Sequence, residues 1–342
     1  MSSRIKIALT AGDPAGIGPE ICLKAALDPA VRAACDPVVV CDPDILARHA
    51  KACGIAAEFK IVERLPGANW SGTHVNVLAC PQPEAAAALG FGFGVTAPEM
   101  GRASIAFCAA AVDAARARDV DAVVAAPQNE TSIAQAGIAY DGHPSFVARQ
   151  TGTDESGVYM MLCFGDTRIA HCTLHRSVRD AIALITRENV ARTIRAADEA
   201  LKRIGIAAPK IAVSGLNPHA GEGGLFGREE IEIIKPAMED VATEGIAVAG
   251  PFGADTMFHM PGFDAFVVML HDQGHIATKL LAPHAAAALT IGTPILFASV
   301  AHGTGHDIAG KGIADPAAMI EAVLRMSKAK RVNAKISAPP SS

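Results

Sequence analysis

The chain has 342 residues, of which 50% are hydrophobic and only 4% aromatic, and its formal net charge at pH 7 is −5. This length suits two α/β lobes around a cleft, and the composition is typical of an enzyme core rich in small aliphatic side chains. The acidic balance, with no cluster of Lys and Arg apart from 328–331, argues against nucleic acid as a partner.

Short apolar runs alternate with longer Ala-rich amphipathic segments, which predicts βα units and a mainly parallel sheet. The predicted strands are Ile5–Leu9, Val38–Val40, Val75–Leu78, Ala122–Ala125, Tyr159–Cys163, Ile169–Thr173, Ile211–Gly215, Phe266–Leu270 and Leu289–Ile291. The predicted helices are Gly18–Ala26, Pro43–Cys53, Pro98–Ala117, Val178–Thr186, Glu188–Ile204, Gly227–Glu244 and Pro316–Lys328. The segment 331–342 is predicted to be a frayed tail.

The cysteines and the apolar segments point to a cytoplasmic protein. Eight cysteines are scattered without a CxxC pair, which argues against a zinc ribbon, a redox dithiol or a disulfide framework. The first residues do not form a signal peptide. The most apolar later stretch, 285–301, is interrupted by Gly292 and Pro294, so we expect no membrane span and no membrane partner.

The first predicted strand turns into the first helix through a glycine-rich segment, Thr10–Glu20. Its glycines leave backbone N–H groups near a helix N-terminus, where an anion can bind, although a plain strand-to-helix turn explains the same pattern. The segment does not match GxGxxG, so a conventional dinucleotide-binding half is not supported.

Three histidines each follow an apolar run, at the expected carboxyl ends of strands: His175, His219 and His271. Neutral imidazole is a good ligand for a divalent metal, and three such ligands leave positions open for a substrate. The alternative is that they are ordinary surface or core residues among the twelve histidines of the chain. The polar contexts of His219 and His271, at 217–222 and 271–274, are poor helix or strand interiors and predict loops.

A second glycine-rich segment, 301–316, precedes the last predicted helix. Its small residues allow the backbone to approach a flat or phosphorylated ligand, although an irregular surface loop is the simpler alternative. The sequence resembles the cofactor loop of isopropylmalate dehydrogenases.

Together, five motifs resemble the 4-hydroxythreonine-4-phosphate dehydrogenase (PdxA) family: 11–20, 217–224, 253–256, 271–274 and 301–316. The resemblance covers residues 4–328. It implies the isopropylmalate dehydrogenase-like α/β fold with two lobes, in a homodimer whose active site lies between lobes and between subunits. The implied lobes are 1–130 plus 296–330, and 131–295.

The resemblance also implies the ligands and the residues that hold them. His175, His219 and His271 would bind one divalent metal ion, with ligands from both subunits. Zn²⁺ is the first candidate, and Mg²⁺, Co²⁺, Fe²⁺ and Mn²⁺ are alternatives. NAD is the expected hydride acceptor, with NADP as an alternative. The implied cofactor-binding residues are Gly253, Asp255, His302, Gly303, Asp307 and Gly310.

At the substrate-binding positions that the resemblance implies, this chain differs from the 4-hydroxythreonine-4-phosphate dehydrogenases. His143 and Lys279 are retained, but Pro144, Ala288 and Phe297 replace a Thr, an Asn and an Arg. The Arg-to-Phe change removes a charged fork suited to phosphate. A phosphorylated substrate is therefore less favoured, and Phe297 and Ala288 would suit a cyclic, apolar-faced substrate.

Other segments are similar to the terephthalate dihydrodiol dehydrogenase branch: 126–131, 136–139, 269–276 and 279–283. That branch oxidises 1,2-dihydroxy-3,5-cyclohexadiene-1,4-dicarboxylate to protocatechuate with NAD, and CO2 leaves from the β-keto acid formed by hydride loss. The alternatives are a dehydrogenase of 4-hydroxythreonine 4-phosphate or of D-threonate or D-erythronate 4-phosphate, and a catalytically silent binding protein. Lys279, Asp255 and Asp272 are the expected catalytic residues, with the proton-transfer role open among them and His143. The alternatives are that Asp272 orients an imidazole and that Asp255 forms an Asx turn that opens a helix.

Overall fold

The protein is built on one twelve-stranded sheet flanked by helices, in a computed structural model that describes residues 4–70, 72–282 and 286–330. The predicted tail 331–342 and Pro283, the end of one motif segment, lie outside these residues. The strands are β1 (Lys6–Thr10), β2 (Asp36–Cys41), β3 (Phe59–Val62), β4 (Val75–Ala79), β5 (Ala122–Ala125), β6 (Tyr159–Phe164), β7 (Thr167–His171), β8 (Lys210–Ser214), β9 (Ala247–Phe252), β10 (Ala265–Val268), β11 (Ala287–Ile291) and β12 (Phe297–Val300).

The sheet order is β3-β4-β2-β1-β5-β12-β11-β6-β7-β10-β8-β9. The pairings are parallel on both flanks, and the three antiparallel pairings, β12–β11, β11–β6 and β6–β7, lie in the middle. The expected α/β class with a mainly parallel sheet is confirmed. Parallel flanks need helical crossovers, which cover both faces and bury the strands.

The helices are interspersed among the strands along the chain. They are α1 (Gly18–Leu27), α2 (Pro29–Ala34), α3 (Pro43–Ala52), α4 (Pro83–Ala88), α5 (Pro98–Arg116), α6 (Glu130–Gln135), α7 (His143–Thr151), α8 (Val178–Leu184), α9 (Arg187–Arg203), α10 (Lys235–Thr243), α11 (His271–Leu281) and α12 (Ala317–Met326). Within the described part of the chain, no helix combines the length and apolar character that crossing a membrane requires.

Sequence patterning missed three strands and five helices. The missed strands are β3, β9 and β12, of which β3 and β9 are the two edges of the sheet and carry exposed residues that interrupt an apolar run. The missed helices are α2, α4, α6, α7 and α11, and the first four have only six to nine residues. The predicted helix 227–244 is shorter, with a π-helical turn at Glu230–Ile234 leading into α10.

The prediction that 271–274 forms a loop is wrong, because His271 opens the eleven-residue helix α11. Gln273 supports this start: its Oε1 accepts the backbone N–H of Met269 at 2.9 Å and of Leu270 at 3.0 Å. Gly274 is needed for packing, since a Cβ there would overlap the ring of His171 on β7. The glycine that signalled a loop is therefore a close-contact position within a helix.

Candidate active site

The three predicted metal ligands follow three neighbouring parallel strands. β7, β10 and β8 lie side by side, and His175, His271 and His219 come shortly after their respective carboxyl ends. Open α/β sheets bind ligands at the carboxyl ends of their strands. The sheet therefore directs all three segments to the same end of the strands, as the sequence predicted.

His175 and His271 lie close together. Their ring centroids are 5.6 Å apart. The Nδ1–H of His271 donates to Asp272 Oδ1 at 2.7 Å, which leaves Nε2 of His271 as the nitrogen with a free lone pair. Asp272, predicted as a catalytic residue, therefore acts on the orientation of an imidazole in this structure.

Two further histidines, which the sequence analysis did not assign, extend this pair. His275 stacks on His271 with ring centroids 3.6 Å apart, and the ring of His171 lies 4.7 Å from that of His275. Burial lowers the pKa of His171 to about 3 and that of His275 to about 4, so both rings are neutral at pH 7. The signal was present in the spacing, since 171/175 and 271/275 are both four residues apart.

His219 stands apart on an unusual turn. Residues 219–223 all have positive φ, between 43° and 78°, although three of them carry side chains. The His219 side chain is 65% exposed, and its Nδ1 lies 3.7 Å from Glu222 Oε2. Among the described residues no group of three His, Cys, Asp or Glu side chains is placed to hold a metal ion.

The donor chemistry nevertheless fits a divalent metal. His175 and His271 offer two neighbouring imidazoles, one of them oriented by a carboxylate, which is the usual environment of a metal-binding histidine. One chain brings His175 and His271 together, and His219 does not join them in a group that could hold a metal ion.

The late glycine-rich loop, 301–316, packs on the first glycine-rich segment. The Ile17 N–H donates to Thr304 O at 2.8 Å, and His306 Nε2–H donates to Asp13 Oδ2 at 2.6 Å. Further along the loop, Lys24 Nζ donates to the carbonyl oxygens of Gly312 and Ala314, and the buried Glu20 accepts the N–H of Ala314. The two segments flagged in the sequence form one structure.

This loop has the features of a ligand-binding backbone. His302 Nε2 is buried and has no hydrogen-bond partner, and a Cβ added at Gly303 would meet open space. Gly310 is required by packing instead, because a Cβ there would overlap the ring of Phe93. Asp307 is exposed. An unpartnered polar atom beside accessible backbone fits a planar, hydrogen-bonding group such as that of a nicotinamide dinucleotide.

Gly253 and Asp255, which the sequence also assigned to the cofactor, are not brought to this loop. They follow β9, the edge strand, whereas the loop follows β12. The two strands are separated by six inter-strand steps. At ~4.8 Å per step that corresponds to about 29 Å along the sheet. Asp255 is exposed at that edge.

His143, the retained substrate-binding candidate, is the first residue of α7 and follows Gly142, whose φ is 110°. Its Nε2 is buried without a hydrogen-bond partner, and burial lowers the pKa of His143 to about 4. The His143 ring lies 5.4 Å from that of Phe297 and 6.1 Å from that of Tyr140. A neutral imidazole with an unused nitrogen is suited to hydrogen-bond a substrate oxygen.

The three positions at which the chain differs from the implied residues are Phe297, Pro144 and Ala288. Phe297, on β12, is only 1% exposed and belongs to an apolar cluster, so in the single chain it backs His143 instead of facing solvent. Pro144 occupies the first turn of α7, and Ala288 is half-buried on β11. Lys279 is exposed on α11, eight residues beyond His271, about 12 Å along the helix axis.

Known proteins similar to this chain include dehydrogenases named for different substrates. The family model described as pyridoxal phosphate biosynthetic protein PdxA matches residues 33–326. A 1,2-dihydroxy-3,5-cyclohexadiene-1,4-dicarboxylate dehydrogenase of Comamonas sp is 38% identical, over 93% of this chain and 96% of its own length. A D-threonate 4-phosphate dehydrogenase of Cupriavidus necator is 40% identical, over 93% and 95% respectively.

A solved structure shares the fold. The terephthalate 1,2-cis-dihydrodiol dehydrogenase of Burkholderia xenovorans LB400 superposes with a TM-score of 0.71 at 41% identity, covering 95% of this chain and 98% of that one.

Proposed function

Because this chain belongs to the PdxA family, and so is an oxidoreductase that acts on a CH–OH group, we propose that its substrate is a cis-dihydrodiol dicarboxylate and not a phosphorylated hydroxy acid. The proposed reaction converts terephthalate dihydrodiol to protocatechuate and CO2. The proposal rests on the burial of Phe297 against His143. At this position the resemblance to the family implies an Arg that binds phosphate.

The surroundings of His143 are uncharged and aromatic. A neutral imidazole, the ring of Phe297 and the ring of Tyr140 form an aromatic group with one unused nitrogen. Such a group can accept or donate one hydrogen bond beside an apolar ring face, but it cannot neutralise a phosphate dianion. Lys279 then remains to pair with a substrate carboxylate, and it can also return a proton to the carbon that loses CO2.

The proposed cofactors are NAD on the 301–316 loop and a divalent metal ion at His175 and His271. When bound, NAD accepts the hydride and the metal polarises the substrate hydroxyl. His302 would hold the cofactor through its unpartnered Nε2, and Asp272 keeps His271 oriented. The buried His171 and the half-buried His275, both neutral, lie behind the pair without adding charge beside the cation.

We also propose that the working form is a homodimer with a shared site. In one chain His219 stands apart from the other two histidines, and Asp255 lies far from the late loop. Helices α8 and α11, which begin beside His175 and at His271, expose large apolar side chains at Val178, Ile182, Ile276 and Leu280. A second copy covering this surface would bury them and bring its own donors to the site.

The second candidate is a dehydrogenase of D-threonate 4-phosphate or 4-hydroxythreonine 4-phosphate. Lys279 and His143 are retained, and the Cupriavidus necator relative is 40% identical. The replacement of the implied Thr, Asn and Arg by Pro144, Ala288 and Phe297 argues against a phosphorylated substrate.

Substrate assays separate the two candidates. We expect NADH formation with the terephthalate dihydrodiol, its loss on metal removal, and none with 4-hydroxythreonine 4-phosphate, D-threonate 4-phosphate or D-erythronate 4-phosphate. Turnover of a phosphate ester alone would overturn the proposed substrate. Absence of turnover with every compound, in the presence of each candidate metal ion, would favour a binding protein that retains the fold.

A further inference from the structure

We infer that His306 is a positioning residue that fixes the late glycine-rich loop for its cofactor by bonding Asp13. The bond and the neighbouring Ile17–Thr304 bond form what we call the two-loop clasp, made of residues 13–17 and 304–306. The inference rests on the proposed binding of NAD at this loop. It concerns a residue that is not among the expected cofactor-binding positions.

Asp13 is a fixed anchor for this contact. Its side chain is 1% exposed, and its Oδ1 accepts the backbone N–H of Ala15 at 2.9 Å. Its own N–H donates to Pro127 O at 2.9 Å. The remaining oxygen, Oδ2, receives His306 at 2.6 Å. Because every other group of Asp13 is already held, the position of His306 is dictated by the first segment.

The contact joins elements that are distant in sequence. His306 and Asp13 are 293 residues apart, and Asn129 Nδ2 lies 3.5 Å from the same nitrogen of His306. Asn129 in turn caps α6 by accepting the Ser132 N–H at 2.8 Å. The late loop is thus tied through His306 Nε2 to the first segment, and the start of α6 lies beside this contact.

The clasp is tightly packed, whereas the residues beside it are open. A Cβ at Gly16 would lie 2.6 Å from Thr304 O, and a Cβ at Gly94 would lie 2.8 Å from His306 O. At Gly303, one residue before the clasp, a Cβ would meet no atom within 4 Å. The loop is therefore held at 304–306 and open at Gly303, next to His302, whose buried Nε2 has no hydrogen-bond partner.

This arrangement predicts that the clasp sets cofactor affinity. If the loop is released, only a fraction of molecules present a competent backbone, and the apparent Kd rises by the inverse of that fraction. Residues 302–303 are not altered by a change at 306, so the effect reaches the cofactor through loop position.

The charge state of His306 makes the strength of the clasp depend on pH. The hydrogen bond to Asp13 raises the pKa of His306, and Asp307, its exposed neighbour, acts in the same direction. Protonated His306 and the Asp13 carboxylate attract each other, so the clasp is complete below the ordinary His pKa of about 6.5. It weakens as pH rises through the raised pKa of His306.

The test measures NADH binding by calorimetry, without substrate or metal, in the full-length protein. The variants are His306→Phe, His306→Gln, Asp13→Asn and the double variant Asp13→Asn/His306→Phe. His74→Phe is the matched control, because His74 lies at the amino end of β4, whereas the clasp follows the carboxyl ends of the parallel strands β1 and β12. Hydrogen exchange at the Ile17 amide, whose acceptor is Thr304 O, reports the clasp in the cofactor-free protein.

We expect His306→Phe to raise the Kd for NADH by roughly ten-fold and to speed exchange at Ile17, since a charge-assisted hydrogen bond is lost. His306→Gln, which keeps a neutral donor, should lie between wild type and Phe and lose the rise in Kd between pH 6 and 9. The Kd of the double variant for NADH should be no higher than that of the single variant that binds NADH more weakly. The control should have the Kd of the wild-type protein.

Two results would overturn the inference in distinguishable ways. If His306→Phe speeds exchange at Ile17 but leaves the Kd for NADH unchanged, the clasp is structural and His306 does not position the cofactor site. If the wild-type protein binds neither NADH nor NADPH, the proposed function itself fails and the inference fails with it.

Discussion

Glu230 determines the conformation of the segment that carries His219. Its side chain is 2% exposed, and its Oε1 accepts the backbone N–H groups of Leu216 at 2.8 Å and Asn217 at 2.7 Å. A left-handed run with three non-glycine residues costs about 1–2 kcal/mol per residue, so it persists only where its surroundings fix it. The buried carboxylate supplies that fixation.

Changing Glu230 tests this role. Glu230→Ala leaves two partly buried N–H groups without acceptors, so we expect a loss of unfolding free energy of about 1–3 kcal/mol. Glu230→Gln keeps one acceptor oxygen and should lose less. Urea denaturation measures both, and chelator competition should show weaker Zn²⁺ binding by the Ala variant. Exposed Glu232→Ala, two residues away, is the control, and equal effects from the two changes would contradict the role of Glu230.

His143 makes stability depend on pH. Burial lowers the pKa of His143 to about 4, whereas an unfolded histidine titrates near 6.5. Between these values the unfolded chain binds more protons, so the stabilisation present above pH 6.5 falls as the pH drops toward 4. We expect the His143→Phe variant to lose part of this slope, measured as Tm between pH 7 and 4.5. An unchanged slope would place the titration elsewhere.

At the scale of elements, α11 is the clearest failure of sequence patterning and an instructive one. The His-Asp-Gln-Gly pattern contains weak helix formers, and local propensity favours a loop. Tertiary contacts decide instead: Gln273 closes the start of the helix through the Met269 and Leu270 amides, and Gly274 lets the helix approach His171. Neither contact is visible in the sequence, because the partners lie on another strand or depend on side-chain direction.

Gly274→Ala tests the close approach of α11. The added Cβ would overlap the His171 ring, so the helix start and His271 must shift. We expect a loss of about 1–3 kcal/mol, the usual cost of overpacking a core, together with weaker Zn²⁺ binding. Gly157→Ala is the control, since its Cβ would meet only the far end of Arg192 at 3.7 Å. A Gly274→Ala protein as stable as the control would show that α11 has room.

At the scale of the whole molecule, the shared site makes a quantitative prediction. If His219 from one subunit completes the pair of the other, a mixture of His219→Ala and His271→Ala chains contains dimers with one intact site. Random pairing makes about half of the dimers mixed, so about a quarter of wild-type activity should return on mixing two inactive variants. Remixing after mild dissociation, followed by NADH formation, measures this.

Two controls belong with the mixing experiment. Leu280→Glu places a charge on the exposed apolar face of α11, where Leu280 is 78% exposed, and should give a monomer near 35.2 kDa by sedimentation. Mixing His175→Ala with His271→Ala should recover nothing, because those two histidines lie together in one chain. Recovery in that mixture would contradict the assignment of the pair.

The apolar runs of the sequence predict the α/β class. The polar segments that follow those runs predict that the site lies at the carboxyl ends of the strands. Strand order brings β7, β10 and β8 together and so gathers His175, His271 and His219 at one edge. Distances between side chains depend on partners far away in sequence. His171, His275 and Glu230 belong to the site through such contacts, and the sequence analysis passed over all three.

The order of strands has a consequence for synthesis. β12, encoded near the end of the chain, lies between β5 and β11 in the middle of the sheet. Until residues 297–300 have left the ribosome, β5 and β11 each present an open edge, the kind of edge on which nascent chains aggregate. The clasp of the late loop on the first segment can close only once residues 304–306 have been synthesised. We expect a chain truncated before residue 297 to aggregate, because β5 and β11 would each keep an unpaired edge.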